Sequence, residues 1–111
     1  MRDFDELYGY MWLKPNDTGI GVDIFVDDGK AYIRDNHIPL VYIRNGVGRE
    51  VDEFIPVSIS EKPTIIDSSI KLNLDLFTMG KIFNFIKNNV NALLDFADNK
   101  IDINTFFEII N

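Results

Sequence analysis

The chain has 111 residues and a formal charge of −7, from 18 acidic and 11 basic side chains. Such a charge repels a phosphate backbone and argues against sequence-independent nucleic-acid binding. The 46% apolar share argues against disorder, and the lack of cysteine excludes a disulfide framework, a zinc–thiolate site and a thiol nucleophile.

The length predicts one domain, residues 1–111, large enough to bury a core of its own. Met1 to Glu6 read as a frayed end. The opening MRDFDELYGY is acidic and lacks the apolar run of a signal peptide. No run is long enough to cross a bilayer. These features together predict a cytoplasmic protein. Its many Ile, Lys and Asn residues point to an AT-rich genome.

Taken in order, Tyr8 to Leu13 has strand propensity, and Lys14 to Gly19 carries the Pro, Asn, Asp and Gly of a loop. Val22 to Asp27 and Lys30 to Asp35 flank Asp28-Gly29, a favoured two-residue hairpin turn. In that register Asp27 faces Lys30, Phe25 faces Tyr32 and Asp23 faces Arg34. The opposite face sets Val26 beside Ala31 and Ile24 beside Ile33. One face is then charged and aromatic and the other wholly apolar, so a one-residue slip is disfavoured.

Ile38 to Ile43 and Phe54 to Ile59 read as further strands, with Pro56 marking the second as an edge or a bulge. A tight turn at Asn45-Gly46 would set Val41 against Glu50; a looser loop brings Arg44 near Glu53. Ile65 to Leu74 reads as a possible short strand. Asp75 to Asp98 is the strongest periodic segment. Met79, Ile82, Phe83, Ile86, Val90, Leu93, Leu94 and Ala97 recur at three- and four-residue spacing, which predicts an amphipathic helix with Asp75 or Thr78 as cap. Phe85, Ala92 and Phe96 widen its apolar arc. A short last helix, about Asn104 to Ile110, offers Phe106, Phe107 and Ile110 to cover them, with a second subunit as the alternative. The expected fold class is α+β: a mostly antiparallel sheet of about five strands, one face covered by a long helix (about 75–98), with a short C-terminal helix.

Few residues carry chemistry. The single histidine, His37, beside Asp35, has the makings of a general base or of a loop residue bonded to backbone. Asp23, Asp27 and Asp28 have the oxygen ligands a hard cation wants, but the hairpin already gives each a structural task. The two Gly-x-Gly stretches, at 19–21 and 46–48, lack the third glycine and following helix of a phosphate loop.

Asn36-His37-Ile38-Pro39, with the strands after it and the amphipathic segment near the C-terminus, resembles a family of short uncharacterised bacterial proteins. These lead into a strand with Asp/Asn-His-x-Pro, and some are encoded beside toxin–antitoxin-type partners. The likeness spans residues 22–98 in layout and Asn36, His37 and Pro39 in motif. The family's strand continues with further histidines where this chain has Leu40 and Tyr42, so a role for clustered histidines does not carry over.

The sequence thus leads to the expectation of a non-catalytic interaction or accessory protein. Its binding surface would be the outer sheet face and its margin: Phe25, Tyr32, Arg34, His37 and Tyr42. The partner would be a protein or a second copy of the chain, with no nucleic acid and no membrane. No catalytic residue, metal site or cofactor is assigned. The competing readings are a small hydrolase or metal-dependent enzyme using His37 with Asp35 or Asp23, and an acidic nucleic-acid mimic.

Overall fold

The structure, a computed structural model, describes residues 10–28, 30–34, 36–46 and 53–110. Within them lies an antiparallel meander of four strands: β1 (Met11–Leu13), β2 (Ile24–Val26), β3 (Leu40–Arg44) and β4 (Phe54–Ser58), in spatial order β1-β2-β3-β4. Five helical segments accompany it: α1 (Pro15–Thr18), α2 (Ala31–Arg34), α3 (Leu76–Asn88), α4 (Val90–Ala97) and α5 (Ile103–Ile109). The α+β class is as the sequence predicts. The strand count is four rather than about five, and the long helix is two.

Alternation along the strands sorts the side chains onto two faces. Met11, Leu13, Ile24, Val26, Val41, Ile43, Ile55 and Val57 share one buried cluster with Met79, Ile82, Phe85, Ile86, Leu93 and Phe96 of the helices and Phe106 of α5. Phe25, Leu40, Tyr42 and Phe54 form a second buried cluster on the other face, with Tyr10 and with Ala31 of α2.

The largest departure from the sequence reading is the hairpin. Lys30 to Arg34 does not pair with β2; Ala31–Arg34 is a helical turn. Instead β2 pairs with β3, with Ile24 opposite Ile43 and Phe25 opposite Tyr42. Asp23 meets Arg44, with Nε 2.8 Å from Oδ2. The reason is visible in the chain: Tyr-Ile-Arg occurs twice, at 32–34 and at 42–44. Three of the expected pairs form with the second copy, Phe25 with Tyr42, Ile24 with Ile43 and Asp23 with Arg44. Val26 meets Val41 in place of Ala31, and the Asp27–Lys30 ion pair has no counterpart there, since Leu40 stands in the lysine's place and its carbonyl accepts the Asp27 N–H at 3.3 Å.

Three smaller corrections follow. Residues 65–74 contribute a single bridge, Ile65 to Val57, rather than a strand. Lys14 to Gly19 closes into the turn α1, where the Asp17 carboxylate accepts the Lys14 N–H at 2.8 Å and Gly19 ends the turn at φ 74°. The 75–98 helix breaks at Asn89. There the side-chain Nδ2 donates to the Phe85 carbonyl at 2.8 Å, occupying the acceptor that the Asn89 N–H would use in a continuous helix. That N–H bonds Ile86 O instead, at 3.1 Å.

The cap at Asp75 is as read, with its carboxylate accepting the Thr78 N–H at 2.6 Å. The helix shoulder of Phe85, Ala92 and Phe96 is buried within the single chain. Phe106 lies 5.1 Å from Phe96, centroid to centroid, and is fully buried, whereas Phe107 stays partly exposed. The β3–β4 register puts Arg44 opposite Phe54, and Asn45 N–H donates to Glu53 O at 2.8 Å, in keeping with the looser loop. Asn45 also straps the 71–73 segment to the sheet. Its Nδ2 donates to Glu53 Oε1 at 2.6 Å and to Lys71 O at 2.8 Å, and its Oδ1 accepts Asn73 N–H at 2.8 Å.

Candidate functional site

The candidate site is built by α2 together with Asn36, His37 and Ile38. Asp27, fully buried, accepts the Tyr32 N–H on its Oδ1 at 3.3 Å and so starts the turn. Lys30 and Asn36, on either side of the turn, have φ of 65° and 59°. Left-handed backbone is uncommon outside glycine, and more so for lysine than for asparagine. Lys30 is held there by a tertiary bond from its N–H to Ala97 O at 2.6 Å. The Tyr32 hydroxyl donates to Asp98 Oδ1 at 2.5 Å, which joins α2 to the end of α4. That bond, more than burial or the charges of Asp98 and Asp27, raises the phenol above its ordinary value.

His37 is fixed on both ring nitrogens. Its Nδ1 lies 2.5 Å from Ile38 O and its Nε2 3.2 Å from the Tyr10 hydroxyl. A carbonyl only accepts, so Nδ1 carries the proton; in the neutral ring Nε2 then accepts from Tyr10. The His37 N–H donates to Tyr32 O at 2.9 Å, closing the segment on itself. Tyr32, Ile33, Asn36, His37 and Ile38 line a shallow depression of about 360 Å³. Ile33 and Ile38 are 60% and 54% exposed.

The five residues singled out from the sequence separate into two groups. Tyr32 and His37 line the depression, and Arg34 stands exposed on α2 next to it. Phe25 and Tyr42 are buried in the aromatic cluster, so the sheet face they share is an interior layer. Phe25 stacks on Trp12 at 6.2 Å, and Tyr42 meets Tyr10 edge-on at 5.4 Å.

The residues of the enzyme reading have separate partners. Asp23 takes Arg44 and, on Oδ1, the Trp12 indole N–H at 2.8 Å, while His37 takes Tyr10 and Ile38. Asp35 lies outside the described residues. Asp28 is exposed, yet partial burial raises its carboxyl above the ordinary value.

Sequence reasoning missed Ile33, Ile38 and Tyr10. The isoleucines look like core residues when α2 is read as a strand, and nothing near Tyr10 in the sequence points to His37.

Against known protein families, curated proteins and solved structures, the chain finds no match.

Proposed function

We propose that the protein is a non-catalytic cytoplasmic interaction protein that receives a protein partner at the α2 depression. One observation carries this reading. The Tyr32 hydroxyl and both His37 nitrogens already bond within the chain, the flanking Ile33 and Ile38 are more than half exposed, and the exposed Asn36 adds one carboxamide at the margin. What the surface offers is therefore apolar contact around a rigid polar floor. A partner that inserts an aliphatic or aromatic side chain between the two isoleucines gains that contact without breaking a bond. The charge of −7 favours a basic partner and opposes a second copy of the same chain.

The test is site-specific photo-crosslinking in cells, with the crosslinker at position 33, at 38 or, as control, at the exposed Phe77 of α3. The expected result is one discrete product from 33 and 38, lost on Ile33→Glu or Ile38→Glu and weakened by salt. No product at either position, or equal products at all three, overturns the reading. A dimer in sedimentation that Ile33→Glu dissociates would replace the basic partner with a second copy.

A further inference from the structure

Independently of that docking surface, the Asn45-Gly46 pair carries a chemistry of its own. A glycine after asparagine leaves its amide nitrogen open to the asparagine carboxamide carbon, because no Cβ stands in the way. The structure blocks this approach in three ways. Asn45 is 1% exposed, so water and hydroxide do not reach it. Three hydrogen bonds hold its carboxamide, two from Nδ2 to Glu53 Oε1 and Lys71 O and one to Oδ1 from Asn73 N–H. The Gly46 N–H is itself engaged, donating to Arg44 O at 2.9 Å. Among the described residues, Asn45 supplies all the hydrogen bonds that tie 71–73 to the sheet.

We propose that Asn45 is a deamidation site, closed in the folded protein and opened when residues 71–73 lift away and the bonds to Glu53 Oε1 and from Gly46 N–H to Arg44 O are released with them, and that the modified residue then bars their return. In the open state hydroxide removes the Gly46 amide proton and the nitrogen attacks Cγ of Asn45. The N–Cγ bond forms, the Cγ–Nδ2 bond breaks, and ammonia leaves after taking a proton from water. A second water opens the cyclic imide at either carbonyl, giving aspartate or isoaspartate. The balance is amide plus water to carboxylate plus ammonium, with no change of oxidation state.

The product inverts the latch. A carboxylate has no N–H for Glu53 Oε1 or Lys71 O, so acceptors face acceptors, and its charge adds to that of Glu53. Isoaspartate also lengthens the backbone where β3 ends. Each opening that reaches chemistry is therefore recorded permanently.

The experiment follows the mass gain at residue 45 by peptide mapping, at mildly alkaline pH, in the folded chain, in the chain unfolded by concentrated urea, and in Asn73→Pro. The unfolded chain should deamidate faster than the folded one by more than an order of magnitude. Asn73→Pro, which removes the N–H bonded to Asn45 Oδ1, should fall between them while keeping its helical circular dichroism. In Asn45→Asp, amide exchange should rise across residues 70–75 and stay unchanged in α3. Equal rates in folded and unfolded chains overturn the proposal. So does an Asn73→Pro rate equal to that of the folded wild type, or wild-type exchange at 70–75 in Asn45→Asp. If Asn45→Asp does not fold, the Asn73→Pro rate alone decides.

Discussion

The two Tyr-Ile-Arg copies have the same side chains and opposite fates. At 42–44 they lie in β3, buried on both faces, with Ile43 wholly inaccessible and Arg44 paired to Asp23. At 32–34 they form a helical turn on which Ile33 is 60% exposed and Arg34 is exposed as well. Pairing chemistry therefore specifies which residue types face β2, and the surroundings specify which copy supplies them. Leu40-Val41 precede the second copy and add two buried apolar residues, one on each face of the sheet. Lys30-Ala31 precede the first and add one small side chain. Burial of apolar area thus favours the second copy, and Asp27, Ala97 and Asp98 give the first copy bonds that only a turn can use.

This contrast can be broken by substituting matched positions. The largest effect is expected at the isoleucines. Ile43→Ala should cost about 2–5 kcal/mol in urea unfolding, since it empties a site between Ile24 and Ile55. Equal losses from Ile33→Ala would show that the first copy is also core. Next comes the arginine pair. Arg44→Leu strands the half-buried Asp23 and removes the guanidinium that sits 5.4 Å from the Phe54 ring centre, a loss of about 2 kcal/mol. Arg34→Leu should change stability by much less.

The tyrosine of the first copy gives a pH signature. Its folded value is raised, mainly by the bond to Asp98, so the stabilisation is complete below the ordinary tyrosine value of about 10 and is lost as pH rises through the folded value above it. Thermal melts should show wild type losing stability on that alkaline limb more steeply than Tyr32→Phe. Parallel limbs would mean that the hydroxyl does not hold α2 in solution. The smallest effect belongs to Ile33→Ala itself, within about 0.5 kcal/mol of wild type, which leaves that position free for the docking tests.

The same contrast explains what was legible in the sequence. The 75–98 segment was readable because its signal is long: many apolar residues at helical spacing cannot be satisfied in another way, and Met79, Ile82, Ile86, Leu93 and Ala97 are buried as the spacing demands. The break at Asn89 was not readable, because one side chain competing for one carbonyl leaves no trace in periodicity. Lys30 to Arg34 alternates as a strand should, but over too few residues to outweigh bonds to Ala97 and Asp98 at the far end of the chain. In the candidate site, His37 and Tyr32 stood out through their chemistry. Ile33 and Ile38 did not, since an exposed isoleucine is identified only by the fold around it. Phe25 and Tyr42 read as an outer layer because nothing in the sequence shows that Tyr10 and Ala31 pack on that face of the sheet.

The bond from Tyr32 to Asp98 joins residues 66 positions apart. During synthesis the first Tyr-Ile-Arg leaves the ribosome before β3 and long before α4. For that interval β2 has the local copy as its nearest partner, across a turn suited to a hairpin, and hairpins close in about 1–10 μs against a far slower elongation. Any such hairpin, marginal on its own in water, gives way once the second Tyr-Ile-Arg offers β2 the larger buried area. Until Ala97 and Asp98 arrive, the displaced copy lacks the two anchors that hold it as a turn, so the surface it shapes is among the last parts of the molecule to be completed.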